Sequence, residues 1–287
     1  MKKKRIVIGI GELLWDMLPS GKKAGGAPVN FAFHASQAGA DGYAISALGN
    51  DQAGNELIQE LDKHNIRYLI ERVSYPTGTV QVTLNNGIPQ YIIHENVAWD
   101  YIPLTDNMKQ LASEADAICF GTLAQRNAVS RSTTLELLKL VKADAYKLCD
   151  INLRQHFYSK EIIEESLIYA NSLKVNDEEI EVLKNIFSLK MENEAFCRRL
   201  ISQFDLRLII LTAGSHYSSI YTSDKTSTIS TPQVKVSDTV GAGDCFSGVF
   251  IASLLEGEKL KEAHAKAVNA AAHVCSHAGA WIPHTNE

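Results

Sequence analysis

Short apolar runs that end in polar or glycine residues recur along the 287-residue chain. Ile6-Val-Ile-Gly-Ile10 leads to Gly11-Glu12, Ala117-Ile-Cys-Phe120 to Gly121-Thr122, and Tyr146-Lys-Leu-Cys149 to Asp150-Ile-Asn152. Ser172-Leu-Lys-Val175 leads to Asn176-Asp-Glu-Glu179, and the run 206–211 to Thr212-Ala-Gly214. Helical periodicity fills residues 132–142, 160–170 and 192–204. Alternation of this kind predicts right-handed βαβ units, hence an α/β chain with a mostly parallel sheet covered on both faces. Such sheets bind ligands beyond the carboxyl ends of their strands. Here those ends carry Thr122, Asp150, Asn152, Arg154, Asn176, Glu179 and Thr212, and five polar ends in succession predict a site.

Two stretches break the rhythm. Residues 12–24 read as extended with a turn around Pro19-Ser-Gly21, and residues 66–102 alternate and turn. Asn86-Gly87 between two β-type runs is a strong hairpin signal. These stretches predict a small sheet, either a lid over a pocket or an extension of the core sheet. Its open face is expected to expose Val80, Val82 and Ile92, which would favour a homodimer formed through the lid.

Composition narrows the function. With 45% hydrophobic and 21% charged residues the chain can bury a substantial core. The net charge of −5 is spread without a basic stripe, which speaks against a nucleic-acid partner. The apolar run after the basic start, Met1 to Arg5, is too short for an export signal or a membrane span. Five scattered cysteines without a Cys-x-x-Cys pair suit reduced thiols, and the expected location is cytoplasmic.

The richest segment for chemistry is Ser237-Asp-Thr-Val-Gly-Ala-Gly-Asp-Cys-Phe-Ser-Gly-Val-Phe250. Gly241-Ala-Gly243 permits a tight turn into a helix over residues 245–255. The amides of Ala242, Gly243 and Asp244 would then lie free at a helix N-terminus, where they favour an anion. Asp244 at the same end could accept a proton from an incoming hydroxyl, and phosphoryl transfer needs both features. A glycine-rich turn with an aspartate suited to the helix dipole is the plain alternative. In Gly25-Gly-Ala-Pro-Val-Asn30, paired glycines allow a ligand close to the backbone and Asn30 offers a donor and an acceptor to hydroxyls. An ordinary helix entry explains that segment equally well.

Together these segments resemble the PfkB (ribokinase-like) carbohydrate kinase family over essentially the whole chain. Gly25-Gly-Ala-Pro-Val-Asn30 is similar to its N-terminal signature and Asp238-Thr-Val-Gly-Ala-Gly-Asp244 to its C-terminal one, with Asn176-Asp-Glu-Glu179 between them matching an Asn-x-x-Glu element. The resemblance implies a three-layer α/β/α sandwich with a small β-sheet lid. It also implies one kinase domain over 1–287, with lid segments at about 12–24 and 66–102. It implies in-line transfer from ATP with Mg2+, Asp244 as base and Gly241, Ala242 and Gly243 as anion hole. Asn176, Thr212, Gly214, Gly241, Gly243 and Asn269 would face ATP, and Glu179 would help to place the magnesium through water. Asp238 would be the side-chain ligand of a monovalent cation such as K+. Gly11-Glu-Leu-Leu-Trp-Asp16, Asn96-Val-Ala-Trp-Asp100 and Phe120-Gly-Thr-Leu-Ala-Gln-Arg126 look most like bacterial fructokinases. Asp16, Gly26, Asn30, Arg154 and Asp244 would then bind the sugar, and the 6-hydroxyl of fructose would attack. Ile151 stands where the family usually has proline.

Other signals are weaker. Gly9-Ile-Gly11 lacks the third glycine of a dinucleotide fingerprint, and no P-loop sequence occurs. His273 and His277 have the i,i+4 spacing of zinc ligands but no evident third ligand. A kinase for ribose, 2-keto-3-deoxygluconate or a nucleoside, a non-catalytic sugar- or nucleotide-sensing protein and, more distantly, a dehydrogenase stand as alternatives to a fructokinase.

Overall fold

The computed structural model describes residues 3–18, 21–85 and 88–284, with the backbone alone for 82–85 and 88–91. The expected turn residues Pro19 and Ser20, the Asn86-Gly87 hairpin turn and the side chain of Val82 lie outside this description. The chain runs β1 (Ile6–Ile10), β2 (Leu14–Leu18), β3 (Gly21–Gly25), α1 (Ala27–Gln37), β4 (Asp41–Gly49), α2 (Gln52–Lys63), β5 (Arg67–Val73), β6 (Gly78–Asn85) and β7 (Ile88–Ile93). It continues through α3 (Asp106–Glu114), β8 (Ala117–Gly121), α4 (Ala128–Leu140), β9 (Tyr146–Asp150), α5 (Lys160–Tyr169), β10 (Ser172–Asn176), α6 (Asp177–Ile186) and α7 (Asn193–Phe204). The last elements are β11 (Leu208–Ala213), β12 (Tyr217–Tyr221), β13 (Thr226–Ser230), α8 (Ala242–Leu255) and α9 (Leu260–Cys275).

Nine strands form the main sheet in the order β13-β12-β11-β10-β9-β8-β1-β4-β5. The strands from β11 to β5 pair in parallel, and β12 and β13 add an antiparallel edge. Every residue of β1 and β8 is buried, as required of strands covered on both faces. Helices α3 to α7 pack on one face around Phe120, Leu137, Leu173 and Phe196. Helices α1, α8 and α9 cover the other around Phe31, Phe250 and Val268. The chain turns one way from β1 to β4 and the other way through β8 to β11, so strand order reverses beside β1. That reversal is where open α/β sheets bind ligands.

The second sheet has the order β3-β2-β6-β7. It matches the expected small sheet except at two places. Residues 67–73, expected in it, instead form β5, the edge of the main sheet paired with β4. Their alternating pattern is that of a half-exposed edge strand, which resembles a lid strand in sequence. Val80, expected on an open face, is buried with Leu14, Trp99, Leu123 and Phe157 between the two sheets. Among the described residues Met17 and Ile92 are the large apolar side chains this sheet exposes.

A buried ion pair joins the small sheet to the core. Arg126 donates to Asp100 through Nε at 2.7 Å and Nη2 at 2.9 Å, and Nη2 also reaches His94 O beyond β7 at 2.6 Å. The guanidinium lies over the Trp99 ring at 4.0 Å and the Phe157 ring at 4.5 Å. Arg126→Met would leave Asp100 buried without its cation. We expect a loss of about 3–5 kcal/mol in urea unfolding, the usual cost of breaking a buried pair from one side.

Candidate active site

The site starts at the carboxyl end of β1. Glu12 follows the strand and is buried, and Gly26 comes so close that a Cβ there would fall 2.1 Å from Glu12 O. With φ of 135° as well, position 26 admits only glycine without displacing the backbone. This contact seats the first turn of α1 against the sheet and delivers Asn30, itself buried. Asn30 Oδ1 accepts from Trp281 Nε1 at 2.8 Å, and its Nδ2 donates to Asp244 Oδ2 at 2.8 Å. The indole N–H can only donate, so it fixes which way the Asn30 amide points.

Asp244 sits in the first turn of α8, whose N-cap Gly241 has φ of 78°. A Cβ on Gly241 would lie 2.8 Å from Ala280 Cβ, so glycine serves both the turn and the packing here. Cys245 N–H bonds Gly241 O at 2.8 Å, and Ala242 N–H turns back to Thr239 O at 3.3 Å. The expected trio of free amides is therefore a pair, Gly243 and Asp244, ahead of the first regular helix bond.

Beneath this turn lies a residue that the sequence reading passed over. Lys174 of β10 is the register partner of Asp150 on β9, and its buried ammonium donates to Asp150 Oδ1 at 3.1 Å. A Cβ on Gly243 would stand 3.3 Å from Lys174 Nζ. Burial alone would lower the lysine, but the charges of Asp150, Glu179 and Asp244 outweigh it and raise its pKa. Burial pushes Asp244 up to about 6, with Asp150 adding to the shift and Lys174 and Asn30 opposing it. Glu12 also went unassigned in the sequence. Burial raises it to about 7 and the charge on Asp244 adds to this. Its Oε1 accepts from Asn152 Nδ2 at 3.4 Å, while Oε2 is buried with no hydrogen-bond partner among the described residues.

The strand ends beyond carry the remaining candidates. Asn176 caps α6, its Oδ1 accepting from Glu178 N and Glu179 N. Glu179 returns the contact through Oε2 to Asn176 N at 2.9 Å and accepts from Leu153 N at 3.1 Å through Oε1. The Asn-x-x-Glu element is thus a capping box first. Burial raises Glu179, opposed by Lys174. Ile151, in place of the usual proline, donates its N–H to Lys174 O at 3.1 Å, a bond proline would lack. Arg154 is exposed and stands 4.0 Å from Glu179. Thr212 is the register partner of Asn176, Gly214 follows with φ of 48°, and Asn269 is exposed on α9 and joins none of these bonds.

Asp16 on β2 faces Lys23 on β3, and burial followed by the charge of Asp238 pushes it up to about 6. Asp238, expected to hold a monovalent cation, uses both carboxylate oxygens as hydrogen-bond acceptors. Its Oδ2 accepts from Lys23 Nζ at 2.8 Å and Gly279 N at 3.2 Å, and Oδ1 from Val240 N at 3.1 Å. The Lys23 ammonium is thus paired with this carboxylate. His273 and His277 bond Pro283 O and His273 O respectively, as solvated histidines do. Among the described residues no helix is long and apolar enough to cross a membrane.

Buried carboxylates, free helix-terminal amides and a buried lysine at a strand-order reversal can accept a proton and hold an anion side by side. The pfkB family carbohydrate kinase model matches residues 20–286. The chain is 27% identical to a protein of Pyrococcus horikoshii designated sugar kinase PH1459, covering 88% of this chain and 83% of that one. The crystal structure of that kinase in complex with ATP superposes with a TM-score of 0.82 at 28% identity, over 96% of this chain and 94% of the other. An ATP-dependent 6-phosphofructokinase of Thermoanaerobacterium thermosaccharolyticum is 26% identical over 91% of this chain and 84% of its own. A fructokinase of Rhizobium leguminosarum bv. trifolii is 26% identical over 87% and 79%. The chain belongs to the pfkB family of carbohydrate kinases, with the ribokinase-like fold, and is a phosphotransferase acting on a sugar hydroxyl.

Proposed function

We propose that the enzyme transfers the γ-phosphoryl group of ATP to the 6-hydroxyl of fructose. The observation that carries this reading is the Asp244 carboxylate, half-buried in the first turn of α8 and held by Asn30 beside the free amides of Gly243 and Asp244. In the reaction Asp244 takes the hydroxyl proton as the oxygen attacks, and the amides stabilise charge on the transferring phosphoryl group. Lys174, just under Gly243, adds positive charge to the same place. Asp16 and Asn30 orient the sugar hydroxyls, Gly26, packed on Glu12 O, holds the backbone that bounds the sugar, and Arg154 faces the acceptor and phosphate. Asn176, Thr212 and Gly214 line the nucleotide side, where Asn269 would meet the base.

The site suits magnesium bound through the nucleotide. Glu179 spends both oxygens on backbone donors, so it would meet the ion through water, while the nearby carboxylates are the hard oxygen donors Mg2+ prefers. When bound, the ion would neutralise triphosphate charge. The small sheet would close over the sugar and keep water from the phosphoryl group.

Fructose is favoured by the fructokinase among the relatives. A panel of fructose, fructose 6-phosphate, ribose, 2-keto-3-deoxygluconate and nucleosides, followed by ADP release, tests it. The highest kcat/KM should fall on fructose; a higher value on another acceptor reassigns the substrate, and ATP binding with no product across the panel would indicate a sensing protein. Asp244→Asn should lower kcat on the order of 10²- to 10⁴-fold with the fold intact, as for a lost general base. Near-normal turnover in that variant would remove the role. The raised Asp244 pKa also sets the pH profile. The base works ionised, so kcat/KM should fall about tenfold per unit below pH about 6. A profile flat to pH about 4, the ordinary carboxylate range, would place the proton acceptor elsewhere.

A further inference from the structure

Behind the Asp244 turn, three groups suited to a soft metal converge from remote parts of the chain. They are His34 on α1, Cys245 in the first turn of α8 and His284 in the terminal segment after α9. His34 and Cys245 are buried, and His284 is half-exposed. Their ligand atoms lie within 4.8 Å of one another. His34 Nδ1 is 3.1 Å from His284 Nε2, which is 3.7 Å from Cys245 Sγ. In a tetrahedral zinc site, bonds of about 2.0 Å to nitrogen and 2.3 Å to sulfur put ligands about 3.3 Å (N to N) and 3.5 Å (N to S) apart. Two of the three separations already match, and a modest inward movement closes the third.

The protonation pattern fits as well. His34 Nε2 lies 2.8 Å from Ala280 O, which can only accept, so that nitrogen carries the proton and Nδ1 presents its lone pair to the cluster. A carbonyl behind a ring nitrogen is the usual outer contact of a metal-bound histidine. Burial keeps His34 neutral, lowering it to about 3. With Nδ1 bare, the hydrogen between the two rings belongs to His284 Nε2.

We propose that His34, Cys245 and His284 form a binding site for a thiophilic divalent cation, Zn2+ first, separate from the magnesium of the nucleotide. Binding releases the Cys245 thiol proton to solvent and moves the His284 proton from Nε2 to Nδ1. The metal then has one thiolate and two imidazole ligands, with a fourth position open on the His284 side. Bound there, it ties the terminal segment to α1 and α8. That segment carries Trp281, whose indole orients Asn30 against Asp244. The ion therefore braces the partners of the catalytic turn from behind.

Co2+ titration of the purified full chain, with Mg2+ present and ATP absent, tests the site. Wild type should develop a thiolate-to-cobalt charge-transfer band that saturates at one ion per chain and disappears on adding Zn2+. Cys245→Ser should abolish the band. His284→Ala, a change in the half-exposed terminal segment that spares the core, should weaken binding about tenfold or more, the least that losing even an outer-shell partner costs. His277→Ala should leave both band and affinity as in wild type. A wild-type chain with no charge-transfer band, a band that survives Cys245→Ser, or an affinity untouched by His284→Ala would each overturn the proposal. Sugar phosphorylation enters none of these readings, so their outcome is independent of the assigned substrate.

Discussion

One buried ammonium holds the site together. Glu12, Asp150, Glu179 and Asp244 converge at the ends of parallel strands and the start of one helix, where none is well hydrated. Left alone, such carboxylates would repel one another and would each cost several kcal/mol of desolvation. Lys174 stands among three of them, and their charges outweigh the burial that would otherwise strip its proton. The compensation is partial. Burial first, and then the charges of neighbouring acids, lift Asp244 to about 6 and Glu12 to about 7 despite the nearby cations. A carboxylate of raised pKa is a better proton acceptor, and its ease of protonation limits repulsion when a triphosphate arrives. The same burial that costs stability tunes the base.

Distance control comes from small residues. Gly248 on α8 faces α1 so closely that a Cβ would come 2.6 Å from Phe31 O. Helices that approach backbone to backbone let the short side chains of Asn30 and Asp244 meet one turn from each helix start. On the other side Gly26 admits the strand end carrying Glu12, and Gly241 admits Ala280 of the terminal segment. Trp281 then follows beneath Asn30. Three close contacts, each available only to glycine, thus fix the geometry of a pair of side chains that are 214 residues apart.

These relations explain what the sequence could reveal. Runs such as Ile6–Ile10 and Ala117–Gly121 are apolar throughout because both faces of the sheet are covered, so their strands and polar ends were legible. The glycine turn before Asp244 was legible for a local reason too, since it needs a positive φ. Lys174 was not. A lysine inside an apolar run looks like a solvated interruption until the register sets it opposite Asp150. Glu12 looks like a strand terminator, and Trp281 lies 251 residues from Asn30. The histidines show the same limit. Local spacing singles out His273 and His277, yet both point to solvent and carbonyls, while the fold gathers His34, Cys245 and His284.

The fructokinase-like segments divide along the same line. Asn96-Val-Ala-Trp-Asp100 and the Arg126 that ends Phe120-Gly-Thr-Leu-Ala-Gln-Arg126 meet in the Asp100–Arg126 pair, with Trp99 stacked on the guanidinium. Arg126 extends from there to the backbone at the end of β7. The Asp100 carboxylate and the Arg126 Nε and Nη2 are spent on this contact, which anchors the small sheet to the core. A likeness there reports how that sheet is mounted. In the proposed reaction the choice of acceptor rests on different groups: Asp16, Asn30, Arg154 and the oxygen of Glu12 that has no hydrogen-bond partner among the described residues. An exchange of sugar preference should therefore follow changes at these positions and leave the Asp100–Arg126 anchor as it is.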